Sequence, residues 1–335
     1  MTDQSLTGYP SIDKPWLKYY SEEAINAPLP KMTMYQYIWE NNKDYLSDIA
    51  LRYYGAKITY GKLFDNIQKA ARAFYAMGIR SGDIVTIMSM HTPETIFSIY
   101  ALNYLGAVAN MVYMTLSEKE IVETLRNTNS KLFLVLDVAL KKAEAIKGEV
   151  NIPTIILSVS NSMQPHMKLG YVLKAKPKKH NFLRWQDFIK RDDGTSPPHM
   201  ATDHGVSAVI VYTSGTTGEP KGVVLSNDSL NAHSFQELTA EFKFERGKTF
   251  LNVLPPFFGF GISHLHLSLN SGLDSTLWIV PKPEAVANQF FKLKPEFFVT
   301  GPAFVDAFIR HKPQQLHNLE LFVGGGGALS EKGRT

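Results

Sequence analysis

Apolar side chains recur along this chain at two alternating spacings. In "TYGKLFDNIQKAARAFYAMG" the positions Leu63, Ile67, Ala70, Ala71 and Phe74 follow one another at helical intervals, which predicts a helix with one buried stripe. Thr59 stands where an N-cap belongs, and Gly78 where a left-handed residue would end the helix. "RSGD" then turns the chain into "IVTIM" (84–88), apolar on both faces, as buried parallel strands are. The same alternation continues with a helix over Pro93 to Leu105, closed by Gly106. A third helix follows, opened by Ser117 and Glu120 at capping-box spacing. "LFLVLD" (132–137) and "TIILSV" (154–159) read as two further buried strands.

From Gln164 to His204 the pattern gives way to Pro, Lys, His and Asp, with one amphipathic piece at Trp185 to Ile189. This stretch reads as a connection. Strand and helix patterns resume at "SAVIVY" (207–212), followed by a glycine- and threonine-rich stretch and then a helix. "TFLNVL", a helix around Gly261 to Leu269, "STLWIV", "EFFVT", a helix near Phe304 to Arg310 and "LELFVGGGG" complete the series. The alternation predicts an α/β fold of two βαβ-type subdomains with mostly parallel sheets. They are expected over residues 30–205 and 206–335, the second cut short: Ser330 is placed to cap a helix, and the sequence stops at Thr335.

Composition narrows the function classes. A hydrophobic share of 44% with 20% charged residues suits a soluble, well-cored protein. The net charge of +4 comes from scattered lysines, so no nucleic-acid partner is expected. The densest basic run, "KLGYVLKAKPKKH" (168–180), reads as a solvated connection rather than a phosphate-binding patch. The absence of cysteine excludes disulfides, thiolate metal sites and a cysteine nucleophile. No uninterrupted apolar run of about 18 residues occurs, so no membrane span is expected. The N-terminus lacks a signal-peptide pattern, and a cytoplasmic protein is the default expectation.

The chemistry concentrates in "VYTSGTTGEPKGVVLS" (211–226), which packs three glycines, three threonines, two serines and a lysine behind a buried strand. In an open α/β sheet, ligands bind at that end of a strand. Gly215 and Gly218 permit positive φ and close backbone approach; hydroxyls and amides supply donors and Lys221 a point charge. The stretch therefore suits triphosphate oxygens. A Walker-type P-loop is excluded, because Glu219 and Pro220 separate Gly218 from Lys221.

"YTSGTTGEPKG" resembles the phosphate-binding signature of the adenylate-forming superfamily, which holds acyl-CoA synthetases, luciferases and peptide-synthetase adenylation domains. The resemblance extends to the block from Lys57 to Val112, to "LPPFFGFG" (254–261) and to "FVGGGGALS" (322–330). Lys62, where an acidic residue is usual, and the lack of prolines in "NMVYMTLS" mark a divergent branch. The resemblance implies an enzyme that activates a carboxylate by its attack on the α-phosphate of ATP. The resulting acyl-adenylate then passes its acyl group to coenzyme A. Thr213, Ser214, Gly215, Thr216, Thr217, Gly218 and Lys221 would hold the phosphates, with Thr213 also touching Mg²⁺; Gly326, Gly327 and Ala328 would pack on the adenine. Phe258, Gly259, Gly261, His264 and Gly325 would line the acyl pocket. Amino-acid-activating members carry an aspartate at the position of Gly259, so an uncharged fatty or aryl acid is expected. His264 and His266, two apart on a helix, diverge by about 200° and cannot share an ion.

The same resemblance implies that the sequence covers the larger part of an N-terminal domain. The C-terminal domain and the remaining catalytic segments would lie outside it, and the chain alone is expected to be inactive. Two alternatives stay open: an acyl-AMP ligase that loads a carrier protein, and a catalytically inert nucleotide-binding fragment.

Overall fold

Caps form where the hydroxyls stand in the sequence. In the computed structural model the Thr59 side chain accepts from the Lys62 amide, and Ser117 and Glu120 close a reciprocal capping box. The structure describes residues 6–175, 178–192, 199–213, 221–240, 244–280, 282–310, 318–328 and 330–331. Its strands are β1 Ile49–Tyr53, β2 Ala56–Thr59, β3 Ile84–Met88, β4 Val108–Met111, β5 Leu132–Leu136, β6 Thr154–Leu157 and β7 Leu183–Arg184. β8 Ser207–Thr213, β9 Lys221–Ser226, β10 Thr249–Asn252, β11 Asp274–Leu277, β12 Phe297–Thr300 and β13 Leu321–Gly324 follow. The helices begin with three at the N-terminus: α1 Pro10–Asp13, α2 Glu22–Asn26 and α3 Met34–Asn42. Then come α4 Tyr60–Ala76, α5 Pro93–Tyr104, α6 Glu118–Asn127, α7 Leu140–Ile146, α8 Pro165–Ala175 and α9 Trp185–Ile189. The last four are α10 Asn227–Thr239, α11 Gly259–Asn270, α12 Pro283–Leu293 and α13 Pro302–Arg310.

Two mostly parallel sheets result. One runs β7-β6-β5-β3-β4-β8-β9, parallel except for the last strand; the other runs β13-β12-β10-β11-β1-β2, parallel except for β2. Strand membership does not follow chain order. β1 and β2, early in the chain, belong to the sheet of residues 249–324, whereas β8 and β9 join the sheet built from residues 84–184. The sheets are therefore interleaved along the chain instead of dividing at residue 205. The stretch 164–205 is also more than a connection, since it holds α8, α9 and the edge strand β7. After the glycine- and threonine-rich stretch comes a strand, β9, before the expected helix. Antiparallel pairing with β8 holds Lys221 to Ser226 extended.

Specific polar contacts fasten the exchanged strands. The Arg52 guanidinium donates to both Asp274 carboxylate oxygens at 2.6–2.8 Å, tying β1 to β11. Such a bidentate pair fixes register as well as proximity. His91, beyond β3, reaches across to the other sheet: its Nε2 lies 3.0 Å from the carbonyls of both Asn252 and Trp278. Both partners are acceptors, so Nε2 carries the proton; burial pushes the imidazole pKa down to about 4 and keeps the ring neutral.

Two helices lie deep between the layers. In α5 every residue from Pro93 to Asn103 is buried, and α11 is buried from Gly261 to Asn270 apart from Ser263. α11 pays for its buried imidazole with hydrogen bonds: His266 donates through Nε2 to Asn231 at 2.8 Å and accepts at Nδ1 from the Tyr100 hydroxyl at 2.9 Å. These bonds join α11 to α10 and α5.

The start of α11 is set by a close approach. A Cβ built at Gly261 would lie 2.0 Å from the Pro255 carbonyl oxygen, whereas one at Gly259 would meet only Val211, at 3.8 Å. Gly261→Ala should therefore destabilise the chain by at least about 3 kcal/mol, the upper end of overpacking costs, and Gly259→Ala by less than about 1 kcal/mol. Urea unfolding of the two variants checks the difference.

Glu94, in the first turn of α5, gives a pH prediction. Its carboxyl group is buried, accepts from the Ser162 hydroxyl at 2.6 Å, and is pushed by burial up to about 7. Below the unfolded value near 4.5 both states hold the proton; above it, folding costs progressively more until pH passes the folded value. Between pH 4.5 and 8 this group alone should lower stability by about 3 kcal/mol. Glu94→Gln should remove that slope, which unfolding measured at pH 5 and pH 8 on both proteins would test.

Candidate active site

Parallel strands deliver their carboxyl ends to one edge of each sheet, and the candidate site lies where those edges meet. Thr213 is the last residue of β8 and Lys221 the first of β9, and the two are direct partners in the antiparallel ladder. The backbones entering and leaving the loop are thus held about 5 Å apart. Both side chains are exposed at that mouth. Ser214, Gly215, Thr216, Thr217 and Gly218, the other expected phosphate ligands, lie outside the described residues.

A residue that the sequence pattern did not single out braces this mouth. Tyr113, two residues past β4, donates its hydroxyl to the Tyr212 carbonyl, next to Thr213. Its ring packs against Phe257 and Phe258, each with centroids 5.4 Å away. The signal was weak. Tyr113 sits in "NMVYMTLS", where only the missing prolines drew notice, and a tyrosine beside a short strand ordinarily reads as core.

The aromatic turn links the two sheets. Phe258, at the N-cap of α11, is 42% exposed, the state needed of a side chain that borders an open space. Gly259 faces Val211 of β8 with room to spare, while Phe260 reaches the other sheet: a Cβ at Gly325 would come within 2.9 Å of its ring. Gly325, just past β13, donates its amide to the Thr300 carbonyl at 3.1 Å. Gly326 has φ +82°, Gly327 lies against Pro302, and Ala328 is exposed, so this end of the sheet presents nearly bare backbone.

Two expected pocket residues stand elsewhere. Gly261 faces the Pro255 carbonyl, so its lack of a side chain serves the turn. His264 lies behind Phe260, with ring centroids 4.3 Å apart, and is buried. Its Nδ1 is 2.9 Å from the Phe260 carbonyl, so Nδ1 carries the proton; burial lowers its pKa to about 4 and leaves it neutral. His266 points away into the contacts with Tyr100 and Asn231, so the two imidazoles do not converge. Among the described residues no group of three or more His, Cys, Asp or Glu side chains could hold a metal ion.

The arrangement therefore offers cationic and hydroxyl groups at one end and an apolar border at the other. Thr213 and Lys221 offer a hydroxyl and an ammonium at the loop mouth, and Phe258, Gly259 and Phe260 border the neighbouring space. No carboxylate occurs between Leu254 and Asn270.

Known proteins share this architecture. A family model described as AMP-binding enzyme matches residues 38–334. The long-chain-fatty-acid–CoA ligase of Bacillus subtilis is 25% identical over 334 residues, a match covering 94% of this chain and 59% of the relative. The 4-coumarate–CoA ligase 3 of Arabidopsis thaliana is 27% identical over 224 residues, covering 65% of this chain and 36% of the relative. Among solved structures, the N-terminal domain of FACL13 from Mycobacterium tuberculosis superposes with a TM-score of 0.73 at 18% identity, covering 90% of this chain and 72% of that one. The chain thus spans about three-fifths of the first relative's length and about a third of the second's. A family match that runs through both interleaved sheets, the aromatic turn and both ends of the Thr213 loop leaves one conclusion: this chain belongs to the AMP-binding enzymes.

Proposed function

We propose that the protein activates an uncharged fatty or aryl acid with ATP, through an acyl-adenylate, for transfer to coenzyme A. The observation that carries this reading is the pairing of Thr213 with Lys221 at the carboxyl edge, one side chain away from the Phe258 turn. Joining a carboxylate to a phosphate brings two anions together, so cationic and hydrogen-bonding groups must offset charge as the bond forms. Lys221 and the Thr213 hydroxyl would face the departing phosphates, and Ser214 to Gly218 would add amides and hydroxyls. Mg²⁺ would neutralise phosphate charge when bound. It usually keeps waters and substrate phosphates among its ligands, so the single oxygen of Thr213 is a compatible protein contribution.

The acid would lie along the aromatic turn, with Phe258 as its border and Phe260, packed on Gly325, as its floor. The absence of a carboxylate along the turn favours a tail without charge. The adenine would pack on the bare backbone of Gly326, Gly327 and Ala328. A cytoplasmic setting accords with this chemistry, and no helix among the described residues is long and apolar enough to cross a membrane.

Lys221→Ala should weaken ATP binding to the chain by ten- to a hundredfold, the loss expected for one charge-assisted contact worth about 1.5–3 kcal/mol. Calorimetric titration with Mg·ATP measures it, and unchanged affinity would remove Lys221 from the phosphate site. Gly259 has open space, so Gly259→Leu should fold and shorten the preferred acid. Each methylene excluded is worth about 0.8 kcal/mol. Binding of non-hydrolysable acyl-sulfamoyl adenosines of increasing chain length reads this directly, and an identical length profile in both proteins would contradict the pocket assignment.

A further inference from the structure

A second pocket opens on the far side of the same sheet edge. It is a cavity of about 490 Å³ at the carboxyl ends of β5, β6 and β7, within the size range of small-molecule sites. Five long cationic side chains line it: Lys141 of α7, Lys168 of α8, Lys178 and Lys179 beyond α8, and Arg184 of β7. Asp137 is the one carboxylate there, and its oxygens already accept from the Ser158 hydroxyl at 2.6 Å and the Val159 amide at 3.4 Å. Among the described residues, none of the five cations is in a salt bridge. Lys168 alone acts on another carboxylate, at longer range, through its charge on Glu94.

Much of this lining comes from the basic run 168–180, whose sequence suggests a solvated connection. The fold gives it another use, because α8 packs it beside the strand ends, where open α/β sheets bind ligands. Ser160 and the buried Trp185 add a hydroxyl and an aromatic face, with Tyr171 beside them. An adjoining cavity of about 240 Å³ shares Lys179 and His180 and adds Lys147 and Glu144. In the strand order β3 and β4 separate β5 from β8, so even the pocket's nearest edge lies roughly 14 Å from β8. It is a separate place from the proposed adenylation site.

We infer that this pocket binds a small organic molecule carrying two or more phosphate groups. The charge excess exceeds what one phosphate would balance, and it arrives from four separate elements around a concavity. A flat anionic surface would leave the walls uncontacted. The Tyr171 and Trp185 rings suit an organic body beside the phosphates.

ADP serves as the probe, titrated calorimetrically without Mg²⁺ into three proteins: the wild-type chain, Lys221→Ala, and the double pocket variant Lys178→Glu/Arg184→Glu made in the Lys221→Ala background. Saturable binding should remain in Lys221→Ala, should fall at least tenfold in the double variant, and should weaken as salt is raised. The substituted side chains are exposed, and a matched thermal melt confirms folding; should the double variant fail to fold, Lys141→Glu/Lys179→Glu gives the same reading. Absence of ADP binding in the wild type overturns the inference, as does its loss in Lys221→Ala or its survival in the pocket variants. Pocket-dependent binding of phosphatidylserine vesicles in place of ADP would also overturn it, and would make the patch a membrane contact.

Discussion

Where α11 begins decides how the two sheets face each other. The helix starts so close to the Pro255 carbonyl that only a glycine fits at position 261, and the turn before it has no slack. From that fixed start Phe257 and Phe258 project toward Tyr113 of one sheet, while Phe260 covers Gly325 of the other. Farther along, His266 is held between Tyr100 and Asn231, which prevents the helix from rotating or sliding. Buried polar contacts of this kind specify one arrangement more sharply than apolar packing does, because any shift leaves a donor or acceptor unpaired.

The site then follows from the direction of the strands. Parallel pairing sends the carboxyl ends of β8, β10 and β13 to the same edge of their sheets, so the end of β8, a turn after β10 and a glycine segment after β13 become neighbours without being close in sequence. Each contributes a different chemistry. One gives an anchored mouth with a hydroxyl and an ammonium, one an aromatic border, and one an almost bare backbone. Loops held by rigid strands are where such combinations can be varied at little cost to the core.

How much of this was legible in the sequence depended on the range of each signal. The helices α4 and α6 and the strands β3, β5 and β6 announced themselves through periodicity and caps, because those signals are local. β4, "VANM", and β1, "IALRY", did not: each is short and mixes apolar with polar or charged residues, and each is a strand because of its neighbours. Interleaving of the sheets was illegible for the same reason, since nothing near Arg52 points to Asp274. At the candidate site, Thr213, Lys221, Phe258 and Gly325 could be named from motifs, and the fold brings all four to the carboxyl ends of the strands. Gly261 could not be told from a pocket glycine, because its meaning lies in a single distance to Pro255. Nor could the basic run be told from a linker until α8 packed it against the strand ends.

Interleaving also has a consequence for how the chain comes into being. Arg52 must wait for Asp274, 222 residues later, before β1 can take its place. At ordinary rates of synthesis that is a delay of about 10–45 s, during which the β1–β2 hairpin has no sheet to join. A two-stranded hairpin is marginal in water by itself. The β1–β2 hairpin therefore waits for its sheet while α3 can already settle on α5, and the order in which the ribosome emits this protein differs from the order in which its parts can settle.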